Sequence, residues 1–191
     1  MKPKFEYFLN AVHYCIYLHE IREHEFFDKY FGVPFNRMLD FFMSEEKKRR
    51  FRLNQQKNKK NVDDFFYSKD FGTCIGWAHH FFGFFSTCYF LFIGFVLLGL
   101  LSKLYGVDEV LGDGFVRMLV LGIPIIIGYI PLYKAVFSND VYLKYFREFE
   151  KKDEKWHRKW KWITAAFVIL SVVAFFSGVF ITFIMVMPVF G

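Results

Sequence analysis

The stretch that decides the fold is FFGFFSTCYFLFIGFVLLGLL, Phe81 to Leu101, which holds twenty-one residues without one charge. An α-helix rises about 1.5 Å per residue, so this length covers the roughly 30 Å hydrocarbon core of a bilayer. Two further stretches satisfy the same test, Phe115 to Tyr133 with only Arg117 charged and Trp162 to Phe190 with no charge. The sequence therefore predicts an all-α, polytopic integral membrane protein with three transmembrane helices.

The composition supports this class. The chain is 54% hydrophobic and 23% aromatic, and 29 of its 191 residues are Phe. Soluble domains of this length rarely carry so much apolar surface, and burial in lipid explains the excess. The three cysteines form no CxxC pair, which argues against a disulfide framework or a cysteine-based zinc site.

The pattern divides the chain at residue 76. Residues 1–76 should form a cytosolic or interfacial region of amphipathic helices, and residues 77–191 a membrane region with spans at about 80–101, 115–133 and 162–187. The segment 134–161 is the expected cytosolic connection between the second and third spans.

Within the first region, apolar residues at helical spacing predict a helix from Lys4 to about Tyr30 and a second amphipathic helix from Pro34 to Met43. Ser44 to Asn61 has no apolar periodicity and is either a solvated helix or a flexible connector. The segment Asp63 to Phe66 is expected to form a short turn that leads into the first span.

The distribution of basic residues predicts the orientation. Residues 1–79 hold fourteen Lys and Arg against eleven acids, and residues 134–161 hold nine against five. The connection 102–114 has one Lys and three acids. Because Lys-rich and Arg-rich loops stay on the cytosolic side, we expect a cytosolic N-terminus and an external C-terminus. Lysine outnumbers arginine seventeen to eight, which suggests an AT-rich bacterial genome, and the expected location is a bacterial inner (plasma) membrane.

One basic run is the main candidate for a binding surface. Near a bilayer each such charge is attracted to anionic lipid by about 1 kcal/mol, so lipid head groups and a protein partner are the expected ligands, and nucleic acid is not expected. The alternative is that the run binds nothing and is a solvated helix whose charges only set the orientation of the protein in the membrane. The run consists of Lys47, Lys48, Arg49, Arg50, Arg52, Lys57, Lys59 and Lys60.

A second cluster is a candidate for metal binding. His19 and Glu23 are four residues apart, as are Glu20 and His24, so on a helix each pair could offer a nitrogen and a carboxylate to one ion. The spacing is not that of the HExxH zinc motif, and a di-iron bundle would need matching segments on other helices. A solvated or partner-facing polar surface is the simpler interpretation, and we predict no cofactor and no catalytic residue.

The middle span carries Arg117, Pro124 and Pro131. Each proline removes a backbone donor and favours a kink, and Arg117 lies two residues inside the span, where it can reach the surface or form a charged ring at a pore mouth. The spans contain no Asp or Glu, which argues against proton-coupled or cation-coupled transport.

Three functions remain. The first is a non-enzymatic anchor or assembly subunit that presents basic amphipathic helices to a partner or to anionic lipid. The second is a homo-oligomeric ion channel or membrane-permeabilising effector, and the third is a metal-dependent enzyme at the membrane surface.

Overall fold

The computed structural model describes residues 4–32, 38, 41 and 43–187. The predicted second amphipathic helix lies outside these residues except for Met38, Phe41 and Met43. Within the described ranges the chain is helical apart from short turns and contains no strand. The elements are α1 (Lys4–Phe27), a π-helical turn (Asp28–Gly32), α2 (Glu45–Tyr67), α3 (Thr73–Tyr105), α4 (Val107–Leu111), α5 (Gly114–Val136), a 3-10 turn (Ser138–Asp140), α6 (Val141–Phe149) and α7 (Glu154–Val186).

Helices α3, α5 and α7 are long and apolar enough to cross a membrane. They contain the predicted spans to within one residue, so the prediction of an all-α protein with three membrane-spanning helices is confirmed. Helices α3 and α7 each have 33 residues, which corresponds to about 50 Å. Both therefore continue beyond the hydrocarbon core into the region of the head groups.

Glycines bring α7 and α3 into backbone contact. A Cβ added at Gly178 on α7 would lie 3.1 Å from the Phe92 Cα, and one added at Gly99 on α3 would lie 3.1 Å from the Thr182 Cα. The Thr182 hydroxyl donates a hydrogen bond of 2.6 Å to the Phe95 carbonyl of α3. Since lipid provides no hydrophobic force between helices, close packing and such hydrogen bonds hold these two together.

Helix α5 also packs on α3. A Cβ at Gly94 would lie 3.2 Å from the Leu121 Cα, and a Cβ at Gly128 would overlap the Phe90 ring. Even so, α5 is little covered by the rest of the protein. In the most apolar part of the middle stretch, Gly114–Phe149, only 6% of the residues are buried, against 28% in the corresponding part of α3. Helix α3 is therefore central to the three, and most of the surface of α5 is left for lipid or for another protein.

The middle helical stretch is interrupted just after α5. Asn139 and Asp140 have φ angles of 54° and 53°, a left-handed conformation that Asn and Asp adopt more readily than most residues. Helix α6 follows, with Tyr142, Tyr145, Phe146 and Phe149 buried at spacing i, i+3, i+4 and i+7. The predicted connection 134–161 is thus a folded helical segment.

Residues at the start of α1 hold this segment. The Asn10 amide donates to the Ala135 carbonyl at 2.9 Å, and the Tyr145 hydroxyl donates to the Glu6 carboxylate at 2.8 Å. Asn10 is completely buried. Its amide bonds to a carbonyl in the last turn of α5, where backbone carbonyls have no N–H partner within the helix.

Two compact units result. Residues 1–12 and 81–191 form one, here called the membrane unit, and residues 13–80 form the other, here called the N-terminal unit. The hydrogen bonds of Glu6 and Asn10 explain why residues 1–12 belong to the membrane unit. The division predicted at residue 76 is one of location relative to the membrane rather than of compact units, and it stays a prediction.

In the N-terminal unit, α2 continues through Tyr67, so the prediction of a turn at Asp63 to Phe66 is wrong and the solvated-helix alternative for Ser44 to Asn61 is confirmed. The turn comes later, at residues 68–72, where the Gly72 amide donates to the Ser68 carbonyl at 2.9 Å. A Cβ at Gly72 would overlap that carbonyl oxygen. The chain therefore turns where a glycine permits it.

We expect Gly178→Leu to destabilise the membrane unit by about 2 kcal/mol, because overpacking at backbone contact forces α7 away from α3. Gly122→Leu is the matched control, since no atom lies within 4 Å of a Cβ at that position. Thermal unfolding in mild detergent, followed by near-ultraviolet circular dichroism, would measure both. Equal midpoints for the two variants would contradict the close approach.

Candidate functional site

Helix α2 carries the predicted basic run. Ser44 precedes it in an extended conformation, and Glu45 and Glu46 lie in its first turn, where acidic side chains interact favourably with the helix dipole. The Glu45 carboxylate forms an ion pair with Lys48 at 2.6 Å, and the Glu46 carboxylate forms an ion pair with Arg50 at 2.6 Å. Since residues 47 to 50 are consecutive, their side chains surround the helix in steps of about 100°.

The described side chains of the run are mostly open to solvent. Lys48 is half-buried, and the side chains of Lys59 and Lys60 lie outside the described residues. Lys47, Arg49 and Lys57 form no ion pair with any described residue. The exposed basic side chains are Lys47, Arg49, Arg50, Arg52 and Lys57.

The opposite end of α2 is fixed to α1 within the N-terminal unit. The buried Tyr17 hydroxyl donates to the Tyr67 carbonyl at 3.0 Å, and the His24 and Phe66 rings lie 4.2 Å apart between centroids. The Thr73 hydroxyl donates to the Phe65 carbonyl at 3.3 Å. Helix α2 is therefore held at its last turn while its basic turns are solvated.

The four metal candidates lie on α1 but do not form a complete site. His19 Nε2 and Glu23 Oε1 are 3.5 Å apart, with side chains 65% and 68% exposed. Partial burial raises the pKa of Glu20, and His24 packs against Phe66. Among the described residues, no group of three or more His, Cys, Asp or Glu side chains could hold a metal ion. The polar surface stays the prediction for this cluster, and metal binding stays its alternative.

The structure also shows a polar pair that sequence reasoning did not select. His13 is completely buried in α1, and its Nε2 lies 2.9 Å from Nδ1 of His79 in the first turns of α3. One ring donates an N–H to the other, and the tautomers decide which one. Burial, and secondarily the His79 ring, lower the pKa of His13 well below its ordinary value. The His13 ring is therefore neutral in the folded protein at pH 7.

The predicted pore or kink residues all lie on α5. Arg117 is exposed in the first turn, which Asp113 caps by accepting hydrogen bonds from the Phe115 and Val116 amides. Pro124 and Pro131 lie inside the helix, which continues through both. Whether Arg117 lines a pore depends on a second copy of the chain, so that role stays a prediction.

The fold defines the class of protein, a helical membrane protein with three spans and an N-terminal unit that carries an exposed basic helix. No protein-family model matches the chain, and no characterised sequence or solved structure is significantly similar to it. Function is therefore inferred from the residues of this chain.

We expect the free energy of unfolding to fall as the pH is lowered from about 7.5 to about 5.5, because unfolded His13 regains an ordinary pKa of about 6.5 and binds a proton that the buried ring resists. One such proton limits the slope to about 1.4 kcal/mol per pH unit. Thermal unfolding in detergent at several pH values would measure it.

His13→Gln should remove this slope, while His19→Gln, on an exposed side chain, should keep it. A His13→Gln variant with an unchanged pH dependence would show that other groups are responsible.

Proposed function

We propose that the chain is a non-enzymatic integral membrane subunit that presents α2 to the anionic surface of the membrane in which its three helices are embedded. The N-terminus lies in the cytosol and the C-terminus outside, and the membrane is a bacterial inner membrane. The excess of Lys and Arg in residues 1–79 and 134–161 supports this orientation.

The observation that carries the proposal is the solvation of α2. From Glu45 to Asn61 the helix has no continuous apolar face, so its exposed charges are available for binding. Lys47, Arg49 and Lys57 have no ionic partner among the described residues, and each such charge near an anionic surface contributes about 1 kcal/mol. The last turn of α2 is fixed to α1, so the cationic segment is attached to a folded part of the N-terminal unit.

Anionic lipid is the preferred ligand because three spans hold the protein at a membrane. A protein partner with an acidic surface would use the same charges, and this is the assembly-subunit form of the proposal. Nucleic acid remains an unexpected ligand, since a protein held in a membrane by three spans meets anionic lipid first.

Hydrogen exchange of the full chain would test the proposal. The amides of residues 45–58 should exchange more slowly, by roughly fivefold or more, in vesicles containing phosphatidylglycerol than in phosphatidylcholine alone. Replacing Lys47, Arg49 and Lys57 with Gln should reduce the difference severalfold. The charge-preserving variant Lys47→Arg, Arg49→Lys, Lys57→Arg should retain it.

Equal exchange in the two kinds of vesicle would contradict lipid binding by α2. A second polypeptide that co-purifies with the unaltered chain, and is lost from the Gln variant, would assign α2 to a protein partner instead.

A second candidate function is a homo-oligomeric channel, and the exposed surface of α5 supports it. Only 6% of the residues in the most apolar part of Gly114–Phe149 are buried. Self-association of several copies of the chain would cover this surface of α5 and bring their Arg117 side chains together. Rings of positive charge select anions. In planar bilayers, a defined oligomer should conduct with anion preference, and Arg117→Glu should reverse it. A silent monomer would rule out this candidate.

A further inference from the structure

The first turns of α7 carry a basic face that is separate from α2. Lys155, Arg158, Lys159 and Trp162 follow at spacing i, i+3, i+4 and i+7, which places them on one side of the helix. All four are exposed, and Trp162 is 70% exposed. Lys155, Arg158 and Lys159 form no ion pair with any described residue.

The opposite side of the same turns is tightly held within the membrane unit. The Trp156 indole donates to the Tyr7 hydroxyl at 3.0 Å and stacks on Phe149 at 4.8 Å between ring centroids. Trp160 packs against Tyr7 at 5.8 Å. Asp153 caps the helix by accepting from the Trp156 amide at 3.1 Å. Packing therefore fixes the rotation of α7 and keeps the basic face turned outward.

Apolar side chains continue this face along the membrane span. Ile169, Val173, Phe176 and Phe180 follow Trp162 at steps of three, four or seven residues, and they are 53% to 65% exposed. In a bilayer such a row contacts acyl chains. The basic face thus lies at the head-group end of a lipid-facing row on one continuous helix.

We propose that this face, with the apolar row below it, binds one anionic phospholipid. The head-group phosphate lies between Arg158 and the two lysines, and the guanidinium can donate two parallel hydrogen bonds to it. The Trp162 ring lies at the interface, as amphipathic rings do, and an acyl chain follows the row toward Ile169. The site belongs to the membrane unit, so it does not depend on the function proposed for α2.

The test uses the full chain in mixed vesicles of phosphatidylcholine and phosphatidylglycerol in which one lipid or the other is brominated. Bromine quenches nearby tryptophan fluorescence, and subtracting the signal of Trp162→Phe isolates Trp162. We expect the relative association constant at Trp162 to favour phosphatidylglycerol by about fivefold. In the variant K155Q/R158Q/K159Q the preference should fall to about one.

The matched control is K151Q/K152Q/K161Q, which removes three charges from the same segment: Lys151 and Lys152 precede α7, and Lys161 is not part of the face. It should retain the preference for phosphatidylglycerol. Equal quenching by the two lipids in the unaltered protein would overturn the proposal. An equal loss in both variants would also overturn it, because diffuse attraction to the whole segment would then account for the binding.

Discussion

A peptide group in hydrocarbon has no water to bond, so every backbone N–H and C=O inside the bilayer must find its partner within the chain. Three uncharged or nearly uncharged stretches meet this requirement as helices α3, α5 and α7. The same medium removes the hydrophobic force between helices, so their association depends on shape and on a few hydrogen bonds. Gly99 and Gly178 supply the shape, and the Thr182 hydroxyl supplies a bond to α3.

Where the helices leave the hydrocarbon, side chains supply hydrogen bonds to backbone groups that have no partner in their own helix. The carbonyls in the last turn of α5 have few helical partners, and Asn10 reaches one of them from α1. Tyr145 and Trp156 add hydrogen bonds to Glu6 and Tyr7. These contacts make residues 1–12 part of the membrane unit and hold the segment between the second and third spans in a folded form.

Apart from Arg117, charge is excluded from the spans and collects beside them, above all on α2 and in the first turns of α7. On α2 it surrounds a solvated helix that is fixed at its last turn. On α7 it forms one face of a helix whose other face is packed. We propose anionic lipid as the ligand of both, because the solvated helix suits a broad surface, whereas the packed helix suits a single lipid. Neither requires a metal, a nucleotide or a reacting group.

The number and position of the spans could be predicted from the sequence, because hydrocarbon imposes a length and a charge limit that any single stretch meets or fails by itself. The basic run and its exposure followed for a similar reason, since it has no apolar face to bury. Contacts between distant residues could not be predicted. Nothing adjacent to His13 marks His79 as its partner, and nothing near Asn10 marks Ala135.

The end of α2 shows the same limit on a smaller scale. Asp63 to Phe66 has the composition of a turn, yet the helix continues because Tyr17 and Thr73 bond to carbonyls in its last turn. By itself, the sequence determined which segments enter the membrane and where charge is excluded. Both depend on the free energy of transferring each residue from water to hydrocarbon, which is a property of that residue alone. Only the tertiary structure decided which helices touch, which polar groups pair and which basic face is fixed, because these depend on residues that packing brings together from far apart in the chain.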